Sequence, residues 1–156
     1  MKLHLAPLLL LALVPSAHAG PKRVLTAIPR AVGRSNKNML TFHRKWVALE
    51  QWGQVAAILF DEASTQYALH KRPTLVETNP LAIGGRHPSI GMTVLDAIIL
   101  SEGEPAFTNY VSEVASRETD KTFRNIWHAY PVATDLTHTF AGLHNMSLAA
   151  GGCGCL

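Results

Sequence analysis

Trp52, Val55, Ala56, Leu59, Phe60, Ala63 and Tyr67 recur at steps of three and four residues, which gathers them on one face of an α-helix. Glu50, Gln54, Asp61 and Thr65 fall on the other side. The pattern predicts an amphipathic helix over 41–69 with its apolar face turned inward. His70, Lys71 and Arg72 suit the negative end of its dipole, and Pro73 stops it. Ile90, Val94, Leu95 and Ile98 predict a second helix, opening at Pro88 or Ser89 and ending at Gly103 and Pro105. Pro105 can head a third, where its missing N–H is harmless, with Phe107, Tyr110, Val111 and Val114 inward and a break near Thr119 and Asp120. A last helix is expected from about Pro131 to just before Gly151-Gly152, packing Leu136, Phe140, Leu143 and Met146. No alternating strand pattern and no internal repeat interrupts this series. The expected fold is all-α, an irregular bundle of three to five helices.

Ahead of the helices, residues 1–19 have the order of a secretory signal peptide. Lys2 supplies the basic n-region, Leu5 to Val14 an apolar run too short for a stable anchor, and Ala17-His18-Ala19 a small-residue cleavage box. The mature chain is expected to start at Gly20 and to work in the periplasm or cell envelope. Residues 20–45 then carry seven basic side chains and no acidic one, whereas acids outnumber bases from Trp46 onward. With Pro21, Pro29 and Gly33 in it, this stretch is expected to be an irregular basic arm ahead of a helical domain over 46–150. Its charge suits anionic lipid headgroups at a membrane.

Several function classes lose support on composition. No recognition motif for nucleic acid is present, no glycine loop for phosphate precedes a helix, and no G-x-S-x-G elbow occurs. No cofactor is implied, and no protein partner can be named. Cys153 and Cys155 stand together in the glycine-rich tail 151–156, too close in sequence to staple a core. No mature segment reaches about 18 consecutive apolar residues, because Asp61, Asp96 and Asp135 interrupt the best candidates. Carboxylates placed inside a membrane usually face a partner or a cavity.

The candidate chemistry is a polar stripe on the last helix. Asp135, His138, Gly142 and Asn145 share one face, with His144 beside them, so a carboxylate can orient an imidazole or both can approach one metal ion. A bundle metal site needs more acidic and Glu-x-x-His ligands than this single Asp-x-x-His supplies. Asp61 and Thr65 lie one turn apart on the first helix and can face the loop that follows it. In that loop Glu77 and Asn79 can bond back to a helix end, closing the bundle, or can line a polar cavity with Asp61 and His144.

Trp52, Asp61, Ser64-Thr65, Glu77-Thr78-Asn79-Pro80-Leu81, His87-Pro88-Ser89 and His144-Asn145 together resemble an uncharacterised bacterial family of small exported or membrane-associated helical proteins. Its members carry an Asp…Ser/Thr-Thr helix followed by a Glu-x-Asn-Pro-Leu loop. The resemblance covers about residues 46–148 and implies helices at or in the membrane, with no established activity. The reading favoured is a non-enzymatic, membrane-associated envelope protein. One alternative is a metal-binding or acid–base enzyme using the last helix, and another is an integral membrane protein with short polar helices.

Overall fold

The computed structural model describes residues 21–77, 83–117 and 119–152, and among these it is an all-α bundle. Four helices follow one another: α1 (Pro21–Thr41), α2 (Lys45–Lys71), α3 (Ile90–Arg117) and α4 (Lys121–Ala149). The expected leader, Asn79 and both cysteines lie outside the described residues.

The basic stretch expected to be irregular is helical. Pro21 heads α1, where it costs no hydrogen bond, and Pro29 is accommodated in the interior. Ala31, Ser35 and Asn38, at steps of four and three, are buried against the other helices. Being small or polar, they leave no apolar period to read. Phe42 then turns the chain with φ 51°. Its N–H donates to the Asn38 carbonyl (2.8 Å), and the Asn38 side-chain oxygen accepts from the Arg44 N–H (2.8 Å).

Pro105 and Pro131 also sit inside helices rather than at their starts. The second and third expected helices are therefore one, α3. The last helix begins ten residues earlier than expected, at Lys121, where Asp120 Oδ1 accepts from the Thr122 N–H (2.8 Å). An interior proline costs about 3 kcal/mol, so these helices persist because packing outweighs it. Pro105 is fully buried and its carbonyl accepts from Gln51 Nε2 (2.9 Å). At the other end of α4, Gly151 adopts φ 97°, while the N–H groups of Gly151 and Gly152 bond to the carbonyls of Leu148 and Ser147. This is a glycine C-cap of the Schellman type.

Helix α2 is central and packs most extensively on α4. Contacts of residues 54, 61 and 65 with 134, 138 and 145 make those two helices parallel. Helix α3 runs the opposite way, with Thr93 near Gln66 and Thr108 near Gln54.

The period of α2 is as expected, but its orientation is reversed. Ala48, Gln51, Gln54, Ile58, Ser64, Thr65 and Ala68 are buried, while Trp52, Leu59, Phe60 and Tyr67 lie at the surface. In α3 the expected inward set of Ile90, Val94, Leu95 and Ile98 is exposed, and Thr93, Asp96 and Ala97 are buried instead. In α4, Leu136, Phe140, Leu143 and Met146 all face outward. Among the described residues, an apolar cluster forms where expected around Val111, packed by Phe107, Tyr110 and Tyr130. The interior is otherwise joined by amides and hydroxyls. Gln51 Nε2 donates to Ser35 Oγ (2.8 Å), Asn38 Nδ2 donates to Gln51 Oε1 (3.1 Å), and Thr108 Oγ1 donates to Gln54 Oε1 (2.9 Å). Gln54 Nε2 donates to Thr134 Oγ1 (3.0 Å). Such groups tolerate burial because each finds a partner. By mean hydropathy, no helix among the described residues is long and apolar enough to cross a membrane. That average runs over the inward polar face and the outward apolar face alike.

Candidate functional site

The polar faces of α2, α3 and α4 meet at His138. Its Nδ1 is 2.8 Å from Asp61 Oδ2 and its Nε2 is 3.0 Å from Glu104 Oε1. All three side chains are largely buried, at 15–17 % exposure. Two turns further along α4, Asn145 Nδ2 donates to Thr65 Oγ1 (2.8 Å), with Asp61 Oδ1 and Ser64 Oγ each 3.3 Å away. Asp61 thus receives His138 on one oxygen and Asn145 on the other.

Helix spacing explains the assembly. Asp61 and the Ser64-Thr65 pair occupy two successive turns of α2, and His138, Gly142 and Asn145 occupy three successive turns of the parallel α4, so the two stripes face each other with Asp61 reaching both His138 and Asn145. Gly142 is buried between them, where a Cβ would collide with the Phe60 ring. Asp135 lies against Gly53 one turn before His138, and its Oδ1 is buried without a hydrogen-bond partner. Glu104 Oε2 is likewise buried without one.

Charge and burial set the protonation. Burial by itself pushes the His138 imidazole down, but hydrogen bonds to Asp61 and Glu104, with their charges, override this and raise it to about 10. The ring is therefore an imidazolium at neutral pH, donating from both nitrogens. Burial pushes Glu62 up to about 7, helped by the negative charges of Asp96, Asp61 and Glu77 and opposed by His138. Asp135 rises to about 6 through burial and then the charges of Glu50 and Glu104, again opposed by His138. The site holds more carboxylate than one imidazolium can balance, and protons make up part of the difference.

Of the residues singled out from sequence, Asp61, Thr65, His138 and Asn145 are in direct contact, and Asp135 is within electrostatic reach. Glu77 acts on Glu62 through its charge, and its backbone N–H donates to the Arg86 carbonyl (2.8 Å), tying down one side of the loop. The Ile83 N–H donates to Asp96 Oδ2 (3.2 Å) on the other side. His144 is half-buried and takes no part in the hydrogen bonds of the cluster. Glu104 was missed, because reading Pro105 as a helix start put its neighbour outside any helix face.

Chemically, the cluster is a carboxylate–imidazolium–carboxylate lock joining three helices. Among the described residues, no group of three or more His, Cys, Asp or Glu side chains is placed to hold a metal ion. No family model matches the chain, and no curated protein or solved structure is significantly similar to it.

Proposed function

We propose that this chain is an exported envelope protein that works by binding rather than catalysis, with its apolar-coated helices seated in lipid. The observation that carries the reading is the reversed burial of α2, α3 and α4. In water, the hydrophobic effect turns large apolar side chains inward. Here Trp46 is 84 % exposed, Ile90 72 % and Phe140 62 %, while Gln51 and Gln54 are completely buried. Glu50, Asp61 and Glu62, the charged residues of α2 between Trp46 and Leu69, are all partly covered, so the outer face of that stretch is apolar. A helix bundle in lipid has this arrangement, since hydrocarbon solvates the outside while hydrogen bonds and small residues hold the inside.

The basic side chains fit the same placement. Arg30, Arg34, Lys37, Arg44 and Lys45 are exposed on α1, the corner after it and the first residue of α2, beside Trp46, which suits the headgroup level of a membrane. The resemblance to exported or membrane-associated helical proteins, and the signal-like residues 1–19, belong to this same proposal. An acid–base enzyme built on α4 is less well supported, because both nitrogens of His138 are already engaged by carboxylates.

The test is fractionation of cells expressing the tagged chain. The protein should stay with the membranes through a high-salt wash and enter the detergent-rich phase on Triton X-114 partitioning. Its amino terminus should read from Gly20. Recovery in the salt wash or the aqueous phase would overturn the reading.

A further inference from the structure

A second polar feature lies toward the Lys45 end of α2, where the α1–α2 corner meets the later turns of α3. It is a cavity of about 280 Å³ bordered by Arg34, Lys37, His43, Arg44, Asn109 and Glu113, with Asn38 beneath. Arg34 Nη1 pairs with Glu113 Oε2 at 2.7 Å, and Arg44 Nη2 donates to Ser112 Oγ at 3.3 Å. With one carboxylate against three permanent cations, positive charge is left in excess. Asn109 adds a separate observation. It is only 7 % exposed, and it forms part of the cavity lining. An amide fixed in the cavity wall supplies N–H donors that a ligand oxygen can accept from.

The apolar surroundings specify what kind of anion fits. The same corner exposes Leu40, Phe42 and Trp46, and Leu49 and Trp52 continue that surface along α2. A free ion would gain nothing from these side chains, whereas acyl chains would lie against them. We propose that the cavity binds the phosphate of an anionic phospholipid headgroup. Lys37 and Arg44 bind its oxygens, the Asn109 amide donates to one of them, and Glu113 holds the Arg34 fork in orientation. The inference rests on the lipid-seated reading above and adds the headgroup chemistry to it.

Thermal unfolding of the purified mature chain in a neutral detergent tests the site, since a ligand that binds the folded state raises Tm. Phosphatidylglycerol should raise Tm, with phosphatidylcholine and sodium phosphate at equal concentration doing much less. The double variant Lys37→Glu/Arg44→Gln should weaken the phosphatidylglycerol response about tenfold or more. Lys37→Ala alone, at an exposed side chain, should weaken it partly and guards against misfolding of the double variant. Lys121→Glu, at an exposed cation at the start of α4, should leave the response intact.

No rise with phosphatidylglycerol, or an equal rise with phosphatidylcholine, would overturn the proposal. So would an equal loss in Lys121→Glu, which would mean diffuse attraction. A full rise with sodium phosphate would replace the headgroup with a free ion and overturn it too. Phase partitioning of the natural chain reports separately on the lipid-seated reading. A chain that stays in the aqueous phase fails that reading, and one that partitions without a phosphatidylglycerol response fails only the headgroup site.

Discussion

Replacing His138 with alanine removes the one cation that two buried carboxylates share. Asp61 Oδ2 and Glu104 Oε1, at 2.8 Å and 3.0 Å from the ring, would be left largely buried without their shared donor. A hydrogen bond to a charged group is worth about 1.5–3 kcal/mol, and breaking a buried pair by deleting one partner costs about 3–5 kcal/mol. The second figure governs here, because the stranded charges rather than the lost contacts dominate. The expected loss at neutral pH is therefore about 3–5 kcal/mol, equivalent to a fall in Tm of roughly 10–20 °C. Denaturation followed by circular dichroism in neutral detergent measures it.

The charge origin makes a further demand. As the medium is made acidic the opposed negative charges are lost, so the deficit of His138→Ala against the natural chain should shrink. Asp61→Asn introduced into His138→Ala should recover part of the loss at neutral pH, because it removes one of the opposed charges. A deficit under about 1 kcal/mol at neutral pH would refute the lock. A large deficit that stays constant with pH would also refute it, since that would mark lost packing.

The natural chain should itself lose stability as pH rises. His138, raised from its ordinary 6.5 to about 10, contributes fully below about pH 6.5 and loses that contribution as pH passes 10. Glu62 and Asp135, raised to about 7 and about 6, contribute fully below their ordinary values of 4.5 and 3.8 and lose that as pH passes the raised ones. All three act in the same direction, so unfolding free energy measured across a pH series should decline from mildly acidic to alkaline conditions. A stability maximum above pH 8 would contradict the assigned environments. The reversed burial predicts that Phe140→Ala in detergent changes stability by no more than about 0.5 kcal/mol, whereas Ile58→Ala costs about 2–5 kcal/mol. Similar losses at the two positions would place Phe140 in a core and contradict the orientation of α4.

What could be read from the sequence depended on how local the signal was. The Asp-x-x-His-x-x-x-Gly-x-x-Asn spacing of α4 fixes a stripe whatever surrounds it, and that stripe is the one that meets Asp61 and Thr65. The end of α2 at Lys71 and of α4 at Ala149, just before Gly151, followed equally from proline and glycine chemistry. Proline misled where tertiary packing overrode it. Pro105 and Pro131 mark no boundaries, and taking Pro105 as one hid Glu104.

The largest error concerned sign rather than period. A repeat of three and four residues says that a helix has two unlike faces, but it does not say which face is inside. Choosing the apolar face assumes that water is the outer solvent, and α2 buries Gln51, Gln54 and Thr65 in defiance of that assumption. Once the polar face is inward, the rest follows from the cost of burying it. Gln51 and Gln54 must bond to Ser35, Thr108, Thr134 and the Pro105 carbonyl, and Asp61 must be paired. Glycine at 142 lets α4 come close enough to α2 for that pairing. The ion lock and the apolar coat are thus two consequences of one inverted pattern.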